Sequence, residues 1–141
     1  MERTHSIGTT FRCHSAKRVQ NVGHNKYIYN LVARNGREEY SPYYFQNVTV
    51  TLEKIPGYLN HYRSTYTSEG TQVTHTLLKM HPNGHCSVLY VEKSDGQTGC
   101  ELIETVSALT PKLQNACRGY FYQHCRGKKL NVFMPGCVYP N

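Results

Sequence analysis

The stretch Cys86-Ser87-Val88-Leu89-Tyr90-Val91-Glu92-Lys93-Ser94-Asp95-Gly96-Gln97-Thr98-Gly99-Cys100-Glu101-Leu102-Ile103 decides the fold. Two runs rich in β-branched, aromatic and aliphatic residues flank a Ser-Asp-Gly turn, the pattern of an antiparallel hairpin. Each run carries a cysteine near its start. Neighbouring side chains on a strand point to opposite faces. Cys86, Val88 and Tyr90 therefore share one face of the first run, with Leu89 and Val91 on the other. In the second run Cys100 and Leu102 oppose Glu101 and Ile103.

Outward from this hairpin the same rhythm repeats. Turn residues recur at Asn35-Gly36, Pro56-Gly57, Ser68-Glu69-Gly70 and Pro82-Asn83-Gly84, and the runs between them predict strands at 27–33, 43–53, 58–67, 71–81, 85–93 and 99–106. Residues 27–106 thus read as an antiparallel β-meander. Residues 1–26 show no clear periodicity and read as a poorly patterned N-terminal arm. After the meander the period changes: Thr110 before Pro111 makes a helix start, and a helix is expected over 110–126. Leu113, Cys117, Tyr120, Phe121 and His124 fall on one side of it, and Gly127 supplies a left-handed stop. A short strand at 130–133 and a tail to 141 follow. The fold class is all-β: one domain, an antiparallel up-and-down barrel with a C-terminal helix packed outside.

Cys117 and Cys125 lie about two helical turns apart, so both can reach the sheet. The strand cysteines Cys86 and Cys100 are their available partners, leaving Cys13 to pair with Cys137. In that arrangement Cys86 and Cys100 face the helix, Val88 and Tyr90 lie beneath it, and Leu89, Val91, Glu101 and Ile103 point inward. An inward carboxylate needs a partner, because burying it unpaired costs several kcal/mol or forces it neutral. That partner is either an internal Arg, Lys or Tyr, or a cationic ligand such as an amine. On the strand at 43–53, Asn47-Val48-Thr49 is an N-glycosylation acceptor. A glycan on Asn47 must lie outside, which turns Tyr44, Val48, Val50 and Leu52 inward.

The chain has 141 residues, 16 basic against 9 acidic side chains, 12 Tyr and six Cys. One core is the expectation at this length, and the basic balance favours acidic partners without choosing among them. Six cysteines without Cys-x-x-Cys spacing read as three disulfides and place the protein in an oxidising, extracellular compartment. No run approaches the ~18 apolar residues of a membrane helix. No nucleophile elbow, phosphate loop or zinc-hydrolase helix points to an enzyme or a cofactor. The string His81-Pro82-Asn83-Gly84-His85-Cys86 resembles a metal site only superficially, since its cysteine is better used in a bridge. Nucleic acid is a poor partner for a secreted chain with no recognition fold.

The order Cys13, Tyr27-Ile28-Tyr29-Asn30-Leu31-Val32-Ala33-Arg34-Asn35, Cys86-Ser87-Val88-Leu89-Tyr90-Val91, Gly99-Cys100-Glu101-Leu102, Cys117 with Tyr120, Tyr122 and Cys125, then Cys137, resembles the tick salivary lipocalins, the histamine-binding-protein family. The resemblance covers about residues 10 to 139. It implies a secreted eight-stranded barrel with a C-terminal helix that sequesters host mediators or blocks host defence proteins during blood feeding. The family's usual N-terminal helix and Trp-bearing first strand are expected to be missing, since this chain has no Trp. Only Glu101 then carries over as an amine ligand. The resulting seam would stay open unless the segment before Cys13 fills it or a second copy pairs there as a homodimer.

Two functions follow. In the first, Glu101, Ile103, Leu89, Val91, Tyr44, Val48 and Val50 line a site for a small amine or lipid mediator. In the second, the basic segment with Arg118, Tyr122, Arg126, Lys128 and Lys129 docks on a host defence protein such as one of complement.

Overall fold

The computed structural model describes residues 2–9, 11–57, 62–81, 84–105, 116–132 and 136–139. The meander forms as β3 (Lys26–Arg34), β4 (Tyr43–Lys54), β5 (Tyr62–Ser68), β6 (Thr71–Met80), β7 (Cys86–Lys93) and β8 (Thr98–Glu104), each beginning and ending close to its turn residues. Helix α1 spans Ala116–His124. The expected start at Thr110-Pro111, Leu113 and the end of the final strand at Phe133 lie outside the described residues. That final strand is β9, Lys129–Asn131.

The N-terminal 26 residues, poorly patterned as they are, form strands all the same. They supply β1 (Glu2–Thr4), a 3-10 turn over His5–Ile7 and the long β2 (Arg12–Gly23). Beyond its first residues β2 is exposed on both faces, so no apolar period marks it; its strand character comes from pairing with β3. The nine strands form one curled antiparallel sheet in the order β2-β3-β4-β5-β6-β7-β8-β1-β9. Strand β1 inserts between β8 and β9, with Arg3 opposite Glu101 on one side and Leu130 on the other. The segment before Cys13 therefore fills the place between β8 and β9. At the two outer edges the Cys13 amide donates to the Val132 carbonyl at 2.9 Å, and the Cys13–Cys137 bridge lies beside this contact. Cys13 adopts a left-handed backbone, φ 57°, at a bulge between the pairs Arg12–Arg34 and Ser15–Val32.

All three bridges form: Cys13–Cys137, Cys86–Cys117 and Cys100–Cys125. Cys117 and Phe121 of α1, with Cys125 just past its end, pack on Val88, Cys100 and Leu102, with Tyr90 at the border. The helix thus covers the face opposite Glu101, as the alternation requires. Past the helix end, Gly127 is left-handed at φ 92°, and the Lys129 ammonium donates to the Cys125 and Gly127 carbonyls.

Candidate functional site

Cross-strand register carries the inward assignment around the sheet, because directly opposed residues share a face. Leu52 faces Ser64, Ser64 faces His75, His75 faces Val91, and Leu89 faces both Leu77 and Glu101. The two sets expected to point inward therefore lie on one concave face. Val91 is fully buried there with Ile7, Val73 and Tyr66. Val48 is buried, while Val50, Leu89 and Ile103 are half-buried.

Tyr44 departs from the expectation. It is 55% exposed, and its ring meets Phe11 at 5.8 Å. The reason lies in the pairing: β5 opposes β4 only from Thr51 to Lys54, so the first half of β4 has no strand partner on that side. The side chains of Gln46 and Ser68 bond reciprocally there, at 2.9 and 3.1 Å.

Glu101 of β8 lies on this face, buried. One oxygen, Oε1, is 3.0 Å from Arg3 Nη2, and both side chains are 7% exposed. The other, Oε2, is 3.7 Å from the buried His75 Nε2. The partner required by the buried carboxylate is thus internal, an arginine from β1. Arg3 is held in turn by its Nη1 bond to the Ile7 carbonyl at 3.1 Å. Its neighbour Glu2, on the opposite face, accepts from Arg118 at 3.1 Å and from the Tyr122 hydroxyl at 2.9 Å. Strand β1 is therefore fixed by backbone pairing on both sides and by side chains on both faces.

The electrostatics of the pole are unusual for histidines near a carboxylate. Burial pushes the His75 imidazole below its ordinary basicity, and Arg3 and Lys93 act in the same direction against the pull of Glu101. Burial, reinforced by the Arg3 and Arg12 guanidiniums, drives His14 down to about 3. Tyr66, edge-on to His75 with ring centroids 5.7 Å apart, is pushed up to about 12 by burial and then by the Glu101 charge. At neutral pH both imidazoles are uncharged.

Arg3, His75, Tyr66 and Ile7 escaped the sequence reading. His75 and Tyr66 had a usable signal, since they follow the inward parity of their strands. Arg3 lay in a segment with no period to extend. Among the candidates for protein contact, Arg118 and Tyr122 are engaged by Glu2 and Lys129 by the Cys125 and Gly127 carbonyls, whereas Arg126 and Lys128 are exposed. Asn47 is exposed, and its side-chain oxygen accepts from Asn30 at 3.0 Å. Among the described residues no three His, Cys, Asp or Glu are grouped to hold a metal ion. No helix among them is long and apolar enough to cross a membrane.

No curated protein and no solved structure matches the chain significantly. The sequence profile of the family described as tick histamine binding protein matches over residues 1–139. With the curled antiparallel sheet, the C-terminal helix and three bridges already in place, this match shows that the chain belongs to the tick histamine-binding protein family.

Proposed function

We propose that this chain is a secreted salivary lipocalin that sequesters a small host inflammatory mediator, an amine or a lipid, on the concave face of its sheet and so suppresses host defence. One observation carries the reading: a buried ionic pole, Arg3–Glu101 beside neutral His75, is set among the apolar side chains of Ile7, Val73 and Val91. A few converging polar groups in an apolar surround are the usual make-up of a small-molecule site. Leu89, Ile103, Val48 and Val50 extend the lining.

The alternative, a host-protein inhibitor acting through the basic C-terminal surface, has less support. Three of its five named side chains are occupied within the chain itself. Calorimetric titration and thermal shift with histamine, serotonin and a leukotriene separate the two. Saturable heat with at least one is the expected result. Silence with all three, together with capture of a plasma protein, would sink the sequestering reading. Secretion and an Asn47 glycan belong to the same proposal; expression in glycosylating cells should give a mass shift that peptide N-glycosidase removes and Asn47→Gln abolishes.

A further inference from the structure

We infer that Arg3 is a specificity-determining residue of the concave face, cancelling the Glu101 carboxylate so that the site disfavours ammonium ligands and accepts uncharged or anionic ones of the same size. The inference rests on the small-mediator reading and narrows it.

The carboxylate is already part of a close ion pair at 3.0 Å, and a guanidinium–carboxylate pair presents a dipole, not a net negative charge, to a third group. An arriving ammonium would gain little from Glu101 and would be repelled by Arg3, in surroundings too buried for water to screen them. Arg3 cannot easily step aside. Its backbone is paired with β8 and β9, its Nη1 holds the Ile7 carbonyl, and Glu2 next to it is clamped by Arg118 and Tyr122. His75 Nε2 lies 3.7 Å from the other carboxylate oxygen; burial lowers its basicity, Glu101 acts to raise it, and Arg3 and then Lys93 oppose that pull.

The test uses matched ligands that keep the ring and change the charge: tryptamine, N-acetyltryptamine and indole-3-acetate, with histamine and imidazole-4-acetate as a second series. Titrated into the wild-type protein, the ammonium member of each series should bind at least about tenfold more weakly than an uncharged or anionic member. Arg3→Gln should reverse the ranking. Because that variant leaves Glu101 unpaired and could unfold, Arg3→Gln/Glu101→Gln provides a charge-free pair that should bind both series without preference for charge. Tighter binding of either ammonium by the wild type overturns the inference and leaves the small-mediator reading standing. So does a ranking unchanged by Arg3→Gln in a folded variant. Silence with both series in all three proteins also overturns the inference, while the small-mediator reading stands or falls on the titration with histamine, serotonin and a leukotriene.

Discussion

Gly99 shows how closely the chain before Cys13 is seated on β8. A Cβ at this position would meet Thr4 Oγ1, Ser6 Oγ at 2.7 Å and Ile7 Cγ1 at 2.9 Å. Space, not backbone conformation, demands glycine. Gly99→Ala should therefore lift the 3-10 turn and loosen Arg3 from Glu101, at a cost of about 1–3 kcal/mol for overpacking. Urea unfolding measures it, and a midpoint equal to wild type would mean that Ile7 is not seated as described. The buried imidazoles give a second prediction. Their folded basicities lie below that of an unfolded histidine, about 6.5, with His14 near 3. As pH falls from about 6.5 toward 3, the unfolded chain binds protons that the folded chain does not, so stability drops across that window and is fullest above it. Melting temperature should fall as the pH is lowered from 7 to 4, and His14→Gln should flatten the slope. A slope unchanged by that substitution would place the acid sensitivity elsewhere. Such effects could not be read from the sequence. Alternation put Glu101 inside and required a partner, but choosing Arg3 needs the insertion of β1, which depends on long-range pairing.

At the scale of elements, the nine residues described for α1 fall short of the ~12 at which an isolated helix becomes even marginal, so they draw on tertiary packing. The contacts are Phe121 buried on Val88 and Leu102, and two bridges, one near the start of the described helix and one just past its end, that fasten it to β7 and β8. Replacing Cys86 and Cys117 together by alanine should cost about 2–4 kcal/mol and raise amide exchange across Ala116–His124 while β3 and β4 stay protected. Uniformly faster exchange would show that the helix and sheet unfold as one unit. These bridges were legible because helical spacing and strand alternation constrain cysteines jointly. Strand β2 was not legible, since both faces of its outer half are exposed and a polar strand carries no period. The incomplete pairing of β4 with β5 was likewise hidden: Tyr44 continues the alternation of Val48 and Val50 perfectly well, but the neighbour that would have covered it turns away at Ser68.

For the whole molecule, the decisive contact joins the two ends of the strand order. Strands β2 and β9 are the sheet's outermost members, and they are brought together where the Cys13 amide meets the Val132 carbonyl and Cys13 bonds to Cys137. This bridge spans 124 residues of sequence, against 31 for Cys86–Cys117 and 25 for Cys100–Cys125. In the chain-entropy description a cross-link constrains the unfolded ensemble more as its loop lengthens, growing with the logarithm of length. A fourfold difference in span corresponds to about 1 kcal/mol. Removing Cys13–Cys137 by double serine substitution should therefore destabilise the protein by about 1 kcal/mol more than removing Cys86–Cys117, and should speed exchange of the Cys13 amide itself. Against a total stability of about 5–15 kcal/mol for a domain, that difference is resolvable by urea titration of the two variants side by side. If the shorter bridge proves the costlier to remove, packing of α1 on β7 and β8 outweighs closure of the sheet.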